Sequence, residues 1–207
     1  SEINTNKWES QPSLAPDGKT LYYASTRNGG KGSSDIWVSI RDINGTWGKP
    51  YNLGEPINTP GQEMSPFIHP DGKTLYFSSN YHIGMGGMDL FLSRLNNDGT
   101  WGEPENLGYP INTFEDEVTL LVNANGDLAY ISSNRLGGFG KFDLFTFEMP
   151  EHIRPEKVNY LKGIVYDSET KQKLKAKFQL IDLETNKIVV ESYSDKLSGE
   201  FLICIPT

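Results

Sequence analysis

The sequence has little cysteine, little basic charge and no long hydrophobic run. Its 207 residues include one cysteine, Cys204, so no disulfide can form within the chain. We expect this thiol to be a small buried side chain in the apolar run 201–205. Lysine and arginine number 19 against 27 acidic residues, and without a basic cluster nucleic acid and anionic lipid are poor candidate partners. No stretch of about 18 apolar residues exists, so no transmembrane helix is predicted.

Glycine, proline and aromatic residues are plentiful instead. The chain has 21 glycines and 12 prolines, and 12% of its residues are aromatic. This composition favours many short strands joined by turns, so we predict an all-β fold.

A long internal repeat organises most of the chain. The segment PSLAPDGKTLY at residues 12–22 recurs as PFIHPDGKTLY at residues 66–76, a spacing of 66 − 12 = 54. The same spacing links Asp35 to Asp89 and Asp143, and Trp47 to Trp101. A fixed period of this length is typical of repeat architectures. We divide the repeats into units of about 8–59, 60–113 and 114–149.

One repeat unit predicts four strands. Strands are expected at 64–68, 74–79 and 89–94, with a fourth near Thr100 and Trp101, because β-branched and aromatic residues alternate there with turn signals. Four strands in about 50 residues suit one blade of a β-propeller. Residues 1–149 are therefore predicted to form three propeller blades.

The repeated residues also resemble a known family. The pattern P-D-G-K-x-L-Y, followed by a glycine-rich loop and D-[LI]-[FW], resembles the WD40-like repeat of TolB-type β-propellers over about residues 8–148. The segment W-G-x-P-x-N-L-G-x-P-I-N-T resembles the longer blade variant of OmpA-family outer-membrane proteins from Bacteroidetes. The third copy departs from this pattern at its turn, residues 123–127.

A different pattern begins after residue 149. Residues 150–158 are predicted to be a polar linker, and residues 159–207 to form four strands of a small, incomplete β-sandwich. The sequence of residues 159–207 resembles that of carboxypeptidase-regulatory-like domains. The order of propeller and sandwich, followed by an OmpA-type domain outside this chain, is similar to that of PorE-like components of the type IX secretion system.

The resemblance implies a non-catalytic scaffold of the periplasm, associated with the outer membrane. Its partners would be other envelope or secretion-system proteins, with peptidoglycan bound through a domain that is not in this chain. No cofactor or metal is expected. Two alternatives stay open: a propeller that binds glycans, muropeptides or a cation, and, more remotely, a propeller hydrolase.

Three blades do not close a propeller, which normally has four to eight. Either upstream blades lie outside this chain or another chain completes the ring; the start at Trp8 within a blade pattern favours a fragment. Because open blades expose strand edges, we expect residues 1–207 alone to aggregate or self-associate.

Candidate interaction residues lie in the glycine-rich loops, which differ between the repeats on a rigid frame. They are Arg27, Asn28, His82, Met85, Met88, Arg135 and Phe139. The repeated residues are interpreted as structural, with a ring of carboxylates that binds a cation or a sugar as the alternative for Asp35, Asp89 and Asp143. The structural set is Asp17, Asp71, Asp35, Asp89, Asp143, Trp47 and Trp101. The tryptophans are expected to pack between blades. The three histidines, His69, His82 and His152, lack metal-ligand spacing, and we expect them to face solvent or to be incidental.

Overall fold

The computed structural model describes the backbone of residues 2–206 and the side chains of residues 2–205. Residues 1 and 207, the outer bounds of the predicted domains, lie outside the described residues. The first two repeats each form a four-stranded antiparallel sheet, with strands in sequence order. Sheet 1 contains β1 (Glu9–Leu14), β2 (Thr20–Ser25), β3 (Asp35–Ile40) and β4 (Tyr51–Asn52). Sheet 2 contains β5 (Glu63–Ile68), β6 (Thr74–Ser79), β7 (Asp89–Arg94) and β8 (Glu105–Asn106).

The third repeat forms a three-stranded sheet. Sheet 3 contains β9 (Glu117–Val122), β10 (Leu128–Ser133) and β11 (Asp143–Glu148), in the order β11-β10-β9. The predicted all-β fold of propeller blades, partial and unclosed, is confirmed, but the third unit has three strands where four were predicted. The reason is in the sequence, because the segment W-G-x-P-x-N-L-G that carries the fourth strand does not recur after β11.

The fourth strand of each complete sheet lies later than predicted. Trp101 forms only an isolated bridge to Leu95, and the short strand follows at Glu105–Asn106. Between them, Gly102 and Pro104 interrupt the pairing. Proline has no N–H to donate, and Gly102 N–H turns back to the carbonyl of Arg94 at 2.8 Å.

The sheets are stacked face to face, and their cores lie between them. One cluster of buried side chains joins sheet 1 to sheet 2 and contains Ile36, Leu75 and Phe77. A second cluster joins sheet 2 to sheet 3 and contains Leu90 and Ile131. Sheet 2 is therefore covered on both faces, and all six residues of β6 are buried.

The stretch 150–158, predicted as a polar linker, packs against sheets 2 and 3. It contains a 3-10 helix at Glu151–Ile153, and Ile153 is fully buried in the cluster between these sheets. The Tyr76 hydroxyl donates to the Ile153 carbonyl at 2.8 Å. Its one isoleucine and its prolines give this stretch an apolar side that its average composition conceals.

Four strands follow in two antiparallel pairs. β12 (Val158–Ile164) pairs with β15 (Glu200–Pro206), and β13 (Lys177–Ile181) pairs with β14 (Ile188–Tyr193). The rings of Phe178 and Phe201 join the two pairs, with their centroids 4.6 Å apart. Cys204 is half-buried on β15, and burial raises the pKa of its thiol. Within residues 2–206, no helix is long and apolar enough to cross a membrane.

Candidate functional site

A buried carboxylate cluster fixes the start of each sheet. The Glu63 carboxylate accepts hydrogen bonds from Thr59 N–H at 2.9 Å and from the hydroxyls of Thr59 and Ser79. The same arrangement recurs 54 residues away on either side. It comprises Thr5, Glu9 and Ser25 in the first repeat and Thr113, Glu117 and Ser133 in the third. These residues were missed by the sequence analysis, although the triplet Ile-Asn-Thr at 3–5, 57–59 and 111–113 signals them.

The surroundings of this carboxylate differ between repeats. Burial raises the pKa of Glu63 and outweighs the hydrogen bonds from Thr59 and Ser79. Burial also opposes ionisation of Glu9, but the hydrogen bonds from Thr5 and Ser25 prevail and lower its pKa. Glu63 is fully buried, as is Glu117, whereas Glu9 is only partly buried.

The repeated aspartates before the third strand anchor the glycine-rich loops. The Asp89 carboxylate accepts Met85 N–H at 2.9 Å and Gly86 N–H at 3.0 Å. The loop needs glycine at position 84, because a Cβ there would lie 2.1 Å from the Asp89 carboxylate. Asp35 and Asp143 accept loop N–H groups in the same way. Their hydrogen bonds are local to each loop.

In each of the first two sheets, an asparagine on the connection to the following sheet bonds the third strand. Asn58 accepts Ile36 N–H at 2.8 Å and donates to the Ile36 carbonyl at 2.9 Å. Asn112 makes the same pair of bonds to Leu90, each at 2.8 Å. The asparagine side chain thus bonds the backbone of the third strand as a neighbouring strand would, and it ties the connection between two sheets to the first of them.

The predicted interaction residues separate into two groups. Asn28, Met85 and Phe139 lie at exposed loop tips. Arg27 instead stacks over Tyr23 and Trp37, 5.2 Å from each ring centroid. The Arg27 guanidinium therefore points toward sheet 1, and the three exposed residues at the loop tips are better placed to contact a partner.

Of the remaining three predicted interaction residues, Arg135 and His82 bond to backbone carbonyls through their side chains, and Met88 bonds through its backbone N–H. Arg135 donates to the carbonyls of Pro110 and Ile111. The His82 ring makes a 2.9 Å hydrogen bond to the Ile57 carbonyl, and Met88 N–H donates to an Asp116 carboxylate oxygen.

Two of the exposed tips, Met85 and Phe139, form part of a larger apolar surface, which we call the loop rim. It consists of the glycine-rich loops of repeats 2 and 3 and the connection between β8 and β9. These segments are adjacent, since Asn106 donates to the Ile83 carbonyl and Arg135 donates to the Pro110 carbonyl. The exposed apolar side chains of the loop rim are Tyr81, Ile83, Met85, Tyr109, Phe114, Leu136 and Phe139.

The corresponding loop of the first repeat is polar. It carries Asn28 and Lys31, and Lys31 forms an ion pair with Glu55 at 2.5 Å. By contrast, Ile83 is 94% exposed and Phe139 104% exposed. The glycine-rich loops are thus apolar in repeats 2 and 3 and polar in repeat 1. Repetition of the fold does not require this asymmetry.

The aspartates of the β1–β2 and β5–β6 turns cap the following strand. Asp17 and Asp71 each accept N–H groups from the residues two and three positions later. Asp71 additionally accepts Glu156 N–H at 3.0 Å, which ties the stretch 150–158 to sheet 2. Burial opposes ionisation of Asp71, but the contact with the His69 side chain and the hydrogen bonds from Lys73 N–H and the Thr74 hydroxyl prevail and lower its pKa.

The expectation that the histidines face solvent or are incidental is wrong for His69. This side chain is fully buried, accepts Asp71 N–H at 3.2 Å through Nδ1 and contacts the Asn123 carbonyl at 3.1 Å through Nε2. It thereby links sheets 2 and 3. Neighbouring strands create this environment, so a single position in the sequence carries no sign of it.

The tryptophans differ between the two repeats. Trp101 packs against the cluster between sheets 1 and 2, and its ring meets Tyr22 edge-on with centroids 6.2 Å apart. Trp47 lies beneath Arg41, 5.8 Å from ring centroid to guanidinium. Among the described residues, no group of three or more His, Cys, Asp and Glu side chains could hold a metal ion.

Comparisons with solved structures return TolB proteins. The chain matches "putative TolB from Agrobacterium tumefaciens" with a TM-score of 0.44 and 17% identity, over 99% of this chain and 60% of that one. It matches TolB from Acinetobacter baumannii with a TM-score of 0.48 and 15% identity, over 100% of this chain and 45% of that one. The chain thus spans about half the length of these proteins. No protein-family model matches it, and no curated protein matches it.

Proposed function

We propose that this chain is a non-catalytic protein-interaction module of the bacterial periplasm, and that the loop rim is its contact surface. The observation that carries the proposal is the apolar rim on repeats 2 and 3, where Ile83 and Phe139 are almost fully exposed. Contiguous exposed apolar surface of this kind marks protein-interaction sites. The sheets beneath supply a rigid support, so the tips would be presented with little loss of conformational entropy.

The finer form of the proposal places the chain at the outer membrane. Residues 1–149 would be blades of an OmpA-family protein, residues 150–158 the connection, and residues 159–207 a carboxypeptidase-regulatory-like sandwich. A further domain outside this chain would bind peptidoglycan, as in PorE-like components of the type IX secretion system. The support for this form is the sequence resemblance, together with the two antiparallel strand pairs of the C-terminal segment, β12 with β15 and β13 with β14.

The rim can be tested by site-specific photo-crosslinking in the cells that produce the protein. A photoreactive residue at position 83 or 139 should capture the same envelope protein. A residue at position 183 is the matched control, because Leu183 is 95% exposed but lies in the turn between β13 and β14, outside the loop rim. Capture from all three positions, or from position 183 alone, would contradict the proposed contact surface.

The proposed location has a separate test. Fractionation of the same cells should place the protein with the outer membrane and should retain it on isolated peptidoglycan sacculi. Recovery in the cytoplasm would overturn the periplasmic assignment. Recovery in the periplasm without sacculus binding would remove only the peptidoglycan link.

A further inference from the structure

The C-terminal segment gathers positive charge in a chain that is acidic overall. The net charge is −8, yet the sequence KQKLKAK at residues 171–177 carries a lysine at every second position. Alternate residues of an extended strand lie on the same face, about 6.6 Å apart. Lys173 pairs with Tyr166 in an isolated bridge, and Lys177 pairs with Tyr193 between β13 and β14. The lysines and these two tyrosines therefore share one face.

Each of the two tyrosine rings has a pair of ammonium groups over it. All four Nζ atoms lie between 5.4 and 5.6 Å from the centroid of their ring. These six side chains, which we call the lysine face, are Tyr166 with Lys171 and Lys173, and Tyr193 with Lys19 and Lys175. Lys19 belongs to the turn between β1 and β2, far from the others in sequence. The folded chain thus contains a basic cluster that the linear sequence does not reveal.

The ammonium groups of the lysine face have no carboxylate partner among the side chains of residues 2–205. None of the four forms an ion pair within 4.0 Å there. Glu191 lies close to the face, but Lys177 and Gln179 already bond its carboxylate, at 2.9 and 2.7 Å. Two like charges over one ring repel each other. An anion bound between them would replace that repulsion with two attractions.

A cleft of about 460 Å³ adjoins the lysine face, between two turns of sheet 1 and the end of β14. Lys19, Lys175 and Tyr193 line it, and the Lys175 ammonium donates to the Ile43 carbonyl at 3.0 Å. The acidic residues of its lining are Asp17, Asp42, Asp195 and Glu200. The three aspartates accept N–H groups of their own turns, and Glu200 lies 4.0 Å from the Lys162 ammonium. The acidic groups are therefore engaged within the chain, and the ammonium groups are available to a ligand.

We propose that the lysine face and its cleft bind an acidic glycan, a sugar chain that carries carboxylates along its length. This site is separate from the protein contact proposed at the loop rim. Carboxylates spaced along a chain match ammonium groups spaced along an extended strand. Lysine ammonium groups are compact point charges, so they require no fixed orientation of each carboxylate.

The tyrosines and the overall charge favour a short stretch of sugar units over other anions. Tyr166 is 50% exposed, and an aromatic ring offers an apolar surface on which the C–H groups of a sugar ring can pack. Stiff sugar rings lose less conformational freedom on binding than a flexible acidic peptide does. Because the rest of the chain is acidic, it repels a long polyanion such as nucleic acid.

Isothermal titration of the chain with tetragalacturonate tests the binding. In a buffer of low ionic strength we expect saturable binding. Added salt should weaken it, because salt screens contacts between exposed charges. Absence of binding at low ionic strength would overturn the proposal.

Charge-neutralising variants locate the site. Two double variants each remove one pair of ammonium groups and should each weaken binding about tenfold. They are Lys19→Gln/Lys175→Gln and Lys171→Gln/Lys173→Gln. Lys49→Gln/Lys187→Gln is the matched control, because it removes two positive charges from exposed positions outside the lysine face. It should bind tetragalacturonate as the parent chain does.

Two other anions, tetraglutamate and tripolyphosphate, decide the chemical class of the ligand. Tighter binding of tetragalacturonate than of either, reduced only by the variants of the lysine face, supports an acidic glycan. Equal or tighter binding of tetraglutamate or tripolyphosphate would overturn that assignment, because the face would then recognise charge alone. Binding that the face variants leave unchanged, or that the control weakens equally, would remove the site. None of these outcomes bears on the crosslinks expected at the loop rim.

Discussion

The second and third sheets carry the same repeat but differ in what covers them. Leu90 in sheet 2 is fully buried, and Leu144 at the same repeat position in sheet 3 is 81% exposed. Likewise, Tyr76 is fully buried and Tyr130 is 46% exposed. The repeat therefore specifies a strand and the side chains that it presents, and the next blade supplies the burial. Energetically, this is the nearest-neighbour behaviour of repeat proteins.

The largest expected effect is a difference in stability between alanine substitutions of Leu90 and of Leu144. Leu90→Ala should destabilise the chain by about 2–5 kcal/mol, because it leaves a cavity between sheets 2 and 3. Leu144→Ala should change the free energy of unfolding by less than about 0.5 kcal/mol in the monomer. Urea denaturation of both variants at low protein concentration measures the difference. Equal losses would show that sheet 3 is covered in the monomer.

A smaller effect is expected at the turn aspartates. Asp71→Asn should cost about 1.5–3 kcal/mol near neutral pH, because a buried carboxylate accepts several N–H and hydroxyl donors there. Asp17→Asn makes the same change in the first repeat, where no Glu156 N–H and no histidine contact is present, and it should cost less. Urea denaturation at pH 7 compares the two variants.

The contribution of Asp71 to stability also depends on pH, in a direction that follows from its lowered pKa. The pKa of Asp71 is lowered on folding, so its contribution is complete above the unfolded value of about 3.9 and is lost as the pH falls through the folded value. Asp71→Asn should therefore lose less stability than the parent chain between pH 5 and the acid limit of folding. Parallel curves for the parent and this variant would contradict the assignment.

Much of the fold follows from the sequence. The 54-residue spacing predicts the sheets because turn residues and β-branched residues recur together, and most predicted strands lie within one residue or so of the observed ones, as Thr74–Ser79 does. The fourth strand was predicted near Thr100 and Trp101, because both residues have high β-propensity, but it lies at Glu105–Asn106. The hydrogen bond from Gly102 N–H to the Arg94 carbonyl, which precedes that strand, cannot be predicted from composition. The packed state of 150–158 depends on Ile153, one residue in a polar stretch.

Less of the candidate site could be predicted. The variation between the glycine-rich loops suggested Arg27 and Arg135 as contact residues, although both guanidiniums donate to backbone carbonyls and stack on aromatic rings. The same reasoning, from the variation between loops, also selected Met85 and Phe139, which lie at exposed loop tips. Burial by a neighbouring blade is a tertiary property, so His69 could not be distinguished in advance from an exposed histidine.

The smallest expected effect tests whether the stretch 150–158 belongs to the core of sheets 2 and 3. Tyr76→Phe removes the hydroxyl that donates to the buried Ile153 carbonyl, and an unsatisfied buried acceptor costs about 1–2 kcal/mol. Tyr130→Phe is the matched change on the exposed sheet and should cost nothing measurable in the monomer. Hydrogen exchange should also show faster opening of 150–158 in Tyr76→Phe, with the amides of sheet 1 unchanged. Faster exchange throughout the chain would instead mean that this hydrogen bond stabilises all three sheets. Residues 150–158 would then unfold together with the sheets and not separately from them.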